Sequence, residues 1–433
     1  MIRFLKNWNG YDTQGVYRLT DAEETRLTGL GLATFNLPDP FTESLAKFNS
    51  SGTALIGGPD GEIVSVRSNG KYPLNKWDAA QIQAAARKRY AILAFWGDSN
   101  TGGFGTGITV GLNYNDDAHK SSYPSQAAVS INSQVMKCTR DSVFGTARAA
   151  SAGVTYNQYD PRVTVGAGWT AADSSLVFAG GFFQATTTTA GTLDFQPAAP
   201  FNSFKVHYPQ VSSGTTNLVV QVDGSAAGYA PISNNNATGR PFSTTYTIPG
   251  QLTTHKISFT SPNASVFAWV QGITCWDSYN PGIVVHQCGN AGAVAAHLAS
   301  AGTYFSIETM KLIAPDLTII NCTINDQGSQ TASASYIADM TTVIDAALVS
   351  GDVIVLANTP NTNAGFSNGY MDTITPLLKA VCDARSVNMI DERDHLGYTW
   401  AIANASGFMD PTTGVHPNAV GSSVLVGSFI KYI

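Results

Sequence analysis

The chain has 433 residues, more than one ordinary domain requires, and only 12% of them are charged, against roughly 25% in an average soluble protein. Net charge is −6 and the 24 Lys and Arg are spread along the chain, which leaves no basic stripe for a phosphate backbone and argues against nucleic acid as a partner. The 41 glycines, with abundant Ser, Thr and Asn, favour short strands and tight turns over long helices.

Residues 1–37 form a small polar-aromatic N-terminal module in which Thr20 and Glu23 fit a capping box for a short helix. The first ten residues turn polar within a few positions, so neither a secretory signal nor membrane insertion is expected there. Residues 38–85 read as a connector, with one hairpin around Gly58-Pro-Asp-Gly61.

An α/β region opens at residues 86–155, where the apolar run Tyr90–Trp96 is stopped by Gly97-Asp98-Ser99. That pattern predicts a buried strand ending in a sharp turn, with Ser99 at its carboxyl end. Residues 156–280 change character: alternating runs such as Ser203–Tyr208 and Asn217–Gly224 between Gly, Ser, Asn and Thr turns predict a β-sandwich. Its Trp169, Phe182, Phe183, Tyr208 and Trp269 suit either stacking on sugar rings or filling a core.

Residues 281–433 return to apolar strands, at Gly282–Val285, Leu317–Ile320, Asp352–Leu356 and Val387–Ile390, separated by helical patterns such as Ala334–Leu348. Strands alternating with helices predict a parallel sheet. The first strand cannot bury both faces alone, so 86–155 and 281–433 read as one α/β domain with the sandwich inserted between them.

Open α/β sheets react beyond the carboxyl ends of their strands, and polar residues follow the apolar runs at four places. Ser99 presents a hydroxyl on a turn that Gly97 permits, and Gly292 offers a backbone donor ahead of a helical segment. Asn325 ends the Pro315–Asn325 segment with an amide able to donate to a developing oxyanion. His416, followed by Pro417 and preceded by Asp410, has the makings of a general base. Taken singly, each has an ordinary structural explanation, and it is their ordered co-occurrence that points to nucleophilic catalysis.

The five cysteines, Cys138, Cys275, Cys288, Cys322 and Cys382, show no CxxC pair and no ligand-spaced histidine, so buried thiols are expected and neither a metal nor another cofactor. Asp391-Glu-Arg-Asp-His395 reads as decoration at the end of a strand, and His207 and His286 as structural or surface residues.

The four segments, in this order, resemble blocks I, II, III and V of the SGNH (GDSL-like) hydrolase family over residues 86–125 and 281–433. The resemblance implies a flavodoxin-like parallel sheet and a carboxylic ester hydrolase with Ser99 as nucleophile and His416 as base. It also implies an oxyanion hole from Ser99, Gly292 and Asn325. Two positions depart from the pattern: Thr323 stands where the third block opens with glycine, and Thr413 where the acid lies three residues before the histidine. Asp410 is the choice for the acid, and a Ser–His dyad helped by a backbone carbonyl stays open.

The opening Phe4–Ala33 resembles short N-terminal modules of bacteriophage structural proteins. With a jelly-roll-like sandwich inserted in the hydrolase, the whole resembles phage tailspike or tail-fibre O-acetyl-polysaccharide deacetylases. That implies a virion protein made in the host cytoplasm, a homotrimer that docks on other tail or baseplate proteins through its N-terminal module, with O-acetylated host surface polysaccharide as substrate. A free bacterial carbohydrate or lipid esterase and a non-catalytic receptor-binding protein are the alternatives.

Overall fold

A computed structural model describes residues 72–433 apart from 107–117, 187–190, 212–216, 237–238, 251, 262–267, 303–305 and 362–367. Before residue 72 it describes only six short strands. Two of these, Ala54–Gly57 and Ile63–Ser65, pair antiparallel on either side of the Gly58–Gly61 sequence. The expected helix cap at Thr20 and Glu23 lies outside the described residues.

Six strands build a parallel sheet: β1 (Ala91–Gly97), β2 (Cys138–Thr139), β3 (Ile283–Gly289), β4 (Leu317–Asn321), β5 (Asp352–Ala357) and β6 (Asn388–Asp391). Their spatial order is β6-β5-β4-β1-β3-β2, and every neighbouring pair is parallel. Beyond the two-residue edge strand β2, this is a doubly wound sheet with a parallel centre, the α/β class expected from the sequence. The order reverses between β1 and β4, and such a switch point opens a crevice at the strands' carboxyl ends.

Why β1 is apolar at successive positions follows from its place at the centre. Leu93 and Phe95 point into one core with Ile319, Leu356 and Phe429, whereas Ile92 and Trp96 point into the other with Ile320, Val355 and Tyr336. A strand covered on both faces has no solvent side to make polar. Each large apolar side chain buried this way contributes roughly 1.5–3 kcal/mol. Helices α1 (Asn75–Ala85), α3 (Tyr123–Gln134) and α7 (Ala419–Phe429) cover the first face, and α5 (Ser333–Leu348) and α6 (Asn368–Ala384) the second. Two further helices, α2 (Ser99–Gly102) and α4 (Ile324–Ser329), begin beside the switch point.

Between β2 and β3 the chain forms antiparallel sheets of five, three and four strands. The four-stranded one includes Ser142–Phe144, paired with Gly272–Trp276, so antiparallel pairing starts ahead of residue 156. One apolar core, containing Phe183, Phe195, Phe204, Val220 and Phe259, serves these sheets. Trp169, Phe183 and Tyr208 are buried in that core, which leaves Phe182 and Trp269 as the less covered aromatics of the set named from the sequence. All five cysteines are buried and unpaired. Among the described residues no helix is long and apolar enough to cross a membrane.

His207 and His286 meet where the antiparallel block abuts β3. Their Nε2 atoms lie 3.3 and 3.2 Å from the Thr274 hydroxyl between them, and the Phe144 ring covers both. Each Nδ1 is buried without a hydrogen-bond partner among the described residues. Burial lowers the pKa of His286 to about 3 and that of His207 well below its ordinary value. The unfolded chain therefore binds protons that the folded one refuses, so their contribution is intact above pH ~6.5 and lost as pH falls, at up to about 1.4 kcal/mol per unit for each histidine. Thermal unfolding followed from pH 7 to 4 is expected to show a falling midpoint that is shallower in His286→Asn. Equal slopes in the two proteins would contradict this account.

Candidate active site

The turn after β1 is built by close approach. A Cβ at Gly97 would overlap the Asn321 carbonyl of β4 and the Thr101 hydroxyl, and a Cβ at Gly289 the backbone of Gly102, so only glycine allows α2 to sit against β3 and β4. Asp98 caps α2, its Oδ1 accepting the Asn100 N–H at 2.9 Å. Ser99 is thus the first residue of a helical turn aimed into the switch-point crevice, and it is 6% exposed.

Side chains from distant segments hold that turn. Gln287 Nε2 donates to the Thr101 carbonyl at 3.0 Å, and the Tyr159 hydroxyl donates to the Gly102 carbonyl at 2.8 Å. The Thr101 and Tyr123 hydroxyls share a 2.7 Å hydrogen bond.

Ser99 Oγ lies 2.8 Å from His416 Nε2. His416 sits in a loop closed by the Met409–Pro417 bridge and by the Asp410 N–H donating to the His416 carbonyl at 2.9 Å. Asn418 then caps α7, accepting from the Val420 and Gly421 N–H groups. Gly105, with φ +93°, leaves room for the His416 Cβ. The residue keeps some exposure while its Nδ1 is buried, and desolvation lowers the imidazole pKa to about 4 against the opposing Asp410 charge.

Asp410 is buried within electrostatic reach of His416, yet its side chain does not hydrogen-bond to the imidazole. Oδ1 accepts the Thr412 N–H at 2.9 Å. Asp410 Oδ2 and His416 Nδ1 are both buried without partners among the described residues, as is the Thr413 hydroxyl. Both atoms therefore want a partner, and the charge of Asp410 is felt by the imidazole.

Gly292 lies in the turn after β3, in the left-handed region at φ +72°. That turn is tied to the turn that carries Ser99 by the Asn290 N–H, which donates to the Gly97 carbonyl at 2.9 Å. Ala147 O accepts the Ala291 N–H at 3.2 Å and the Arg148 guanidinium donates to the Ala291 carbonyl at 2.8 Å, so the turn is gripped from both sides. Asn325, in the first turn of α4, donates one amide hydrogen to the Ala293 carbonyl at 2.8 Å and retains the other. The neighbouring Asp326 accepts the Ala295 N–H at 2.7 Å. The four segments singled out in the sequence thus converge on one crevice.

Sequence reading missed the layer below. Glu392, placed within a strand-end decoration, is fully buried, and Asn321, Thr359 and Asn100 join it in one hydrogen-bonded chain. Its polar neighbours in sequence disguised it. Among the described residues no cluster of His, Cys, Asp and Glu is placed to hold a metal ion. A serine hydroxyl bonded to a neutral imidazole is the nucleophile–base pair of acyl transfer.

No protein-family model matches the chain, and no curated protein matches it either. Among solved structures, a peptidoglycan O-acetylesterase superposes with a TM-score of 0.58 at 13% identity, over 82% of this chain and 95% of that one. An acetylxylan esterase from Geobacillus stearothermophilus (TM-score 0.27, 19% identity) covers 35% of this chain and 72% of its own length. A G-D-S-L lipolytic protein from Veillonella parvula (TM-score 0.29, 18% identity) covers 34% and 79%. The first of these likenesses spans about four fifths of this chain, and what it shows is that this part of the protein has the fold of the peptidoglycan O-acetylesterase.

Proposed function

We propose that the protein is a serine-dependent carboxylic ester hydrolase of the SGNH type that removes O-acetyl groups from a polysaccharide. The 2.8 Å contact between Ser99 Oγ and His416 Nε2 at the switch point carries this reading. The fold shared with a peptidoglycan O-acetylesterase supports the choice of an acetylated glycan.

In the proposed reaction His416 Nε2 takes the Ser99 proton as Oγ adds to the ester carbonyl. The Ser99 and Gly292 N–H groups and the second Asn325 amide hydrogen receive the oxyanion. Collapse breaks the bond to the sugar oxygen, which takes the proton from His416. Water, deprotonated by the same imidazole, then releases acetate and restores Ser99. Asp410 orients and stabilises the imidazolium through Nδ1–H, the bond for which both partners stand ready.

The antiparallel sheets between β2 and β3 are, in this proposal, an inserted sandwich of jelly-roll type that presents glycan to the crevice. The chain as a whole serves as a trimeric phage tail appendage, made in the host cytoplasm and attached through residues 1–37, with host surface polysaccharide as substrate. Incubation with O-acetylated bacterial polysaccharide is expected to release acetate with the wild type and none above background with Ser99→Ala. A folded wild type that releases none from any acetylated glycan or small acetyl ester would leave only a binding role.

A further inference from the structure

We propose that Glu392 is a positioning residue for Ser99: its fully buried carboxyl group locks the carboxyl ends of β4, β5 and β6 to the Ser99 turn. The inference rests on the esterase reading of the Ser99 site.

The geometry is a continuous chain of hydrogen bonds beneath the crevice. Glu392 follows β6, and its N–H donates to the Ala357 carbonyl of β5 at 2.8 Å. Asn321 Nδ2, at the end of β4, donates to Glu392 Oε1 at 2.6 Å. Glu392 Oε2 meets the hydroxyl of Thr359, just beyond β5. Asn100 Nδ2 donates to that same Thr359 oxygen at 2.9 Å, and Asn100 adjoins Ser99. The Asn321 carbonyl in turn accepts the Asp98 N–H at 3.1 Å. Both residues flanking the nucleophile are therefore connected, directly or through one partner, to the groups that Glu392 grips.

The protonation state follows from what surrounds the carboxyl. Asp98 faces it from the nucleophile turn, Asp391 from its own strand and the Tyr123 hydroxyl from α3. The adjacent Arg393 directs its guanidinium to Asp391 and Asp372 instead. Burial, opposed by the Thr359 and Asn321 hydrogen bonds and reinforced by Asp98 and Asp391, pushes Glu392 up to about 8, and burial, opposed by the Asn100 N–H, takes Asp98 to about 7. The Thr359 hydroxyl is placed to donate to an ionised Oε2, and with the carboxyl protonated the Glu392 O–H donates to Thr359 Oγ1 instead, an oxygen that also accepts from Asn100. Ionisation would reverse the Thr359 hydroxyl and put a negative charge beneath the site where the oxyanion forms.

The test compares wild type with Glu392→Gln, which is neutral and of the same shape. kcat/KM for p-nitrophenyl acetate is measured from pH 6 to 10, with thermal unfolding over pH 4 to 9. Glu392→Gln is expected to keep wild-type kcat/KM at pH 7 within several-fold. The wild type loses activity above the value near 8 at which Glu392 ionises, and the variant lacks that limb. Asp98 is present in both, so an alkaline limb that survives in Glu392→Gln belongs to Asp98 or another group, and only the limb that disappears is assigned to Glu392.

Stability supplies a second readout that a spacer of the same shape would not move. The carboxyl's folded pKa is raised above its ordinary ~4.3, so its penalty against glutamine grows as pH rises from there to about 8 and then levels off. The midpoint of Glu392→Gln is expected to exceed that of wild type by a margin that widens over this range. Identical alkaline limbs, or a folded Glu392→Gln without activity at pH 7, would overturn the proposal. Labelling of wild-type Ser99 by a fluorophosphonate separates the two readings: labelling with identical limbs sinks the Glu392 proposal alone, and no labelling sinks the esterase reading on which it rests.

Discussion

Ser99→Ala and His416→Ala are each expected to lower kcat for p-nitrophenyl acetate by on the order of 10⁴- to 10⁶-fold. Neither substitution should disturb the fold, because among the described residues the Ser99 side chain bonds to His416 Nε2 alone and α2 is held by Asp98, Gln287 and Tyr159. The double variant should be no worse than either single one, since the hydroxyl and imidazole act as a unit. Asp410→Asn discriminates triad from dyad: a fall of about 10²- to 10⁴-fold means that Oδ2 reaches Nδ1 during turnover, and near-wild-type activity means that the dyad suffices.

The pH profile carries the same information. The base must be neutral, and desolvation lowers its pKa to about 4, so the acid limb of kcat/KM is expected near there and not at the ~6.5 of free histidine. Asp410 is the influence that raises this pKa, so Asp410→Asn shifts the limb to still lower pH. A wild-type limb at 6.5 would show an imidazole far wetter than this site allows.

Gly97→Ala is expected to be the most disruptive methyl group that can be added near the site. The new Cβ would sit on the Asn321 backbone carbonyl and the Thr101 hydroxyl, and the carbonyl belongs to a central strand that cannot yield without breaking its register with β1 and β5. A cost of about 3 kcal/mol or more follows from overpacking against backbone. Denaturant unfolding measures it, and fluorophosphonate labelling reports whether any folded fraction still aligns Ser99. Gly427→Ala is the control: its Cβ meets nothing within 4 Å and lies in α7, where alanine in place of glycine is neutral or stabilising by up to about 1 kcal/mol. Equal losses from the two substitutions would refute the steric account.

What the sequence showed of the site were its local parts. An apolar run ending in Gly-Asp-Ser marks a central strand and its turn because both are made from consecutive residues. The hydroxyl–imidazole contact could be inferred only from a family resemblance, since it joins residues remote in the chain. Glu392 stayed hidden for a related reason: within Asp391–His395 it reads as solvent-facing, and only the register of β4 against β5 and β6 brings Asn321 to it. Asp410 shows the opposite limit. A carboxylate near His416 was legible, but which oxygen the Thr412 N–H occupies depends on a loop rotamer that no residue pattern encodes.

Ser99 and His416 are 317 residues apart in the chain, so the two halves of the proposed catalytic pair are synthesised at very different times. At a translation rate of roughly 5–20 residues per second, the serine waits about 16–63 s on the ribosome before its histidine exists. Everything made in between, including the antiparallel block, has the opportunity to fold around a hydroxyl that is still an ordinary alcohol. On the proposed mechanism, a chain that stops short of His416 has the nucleophile without its base.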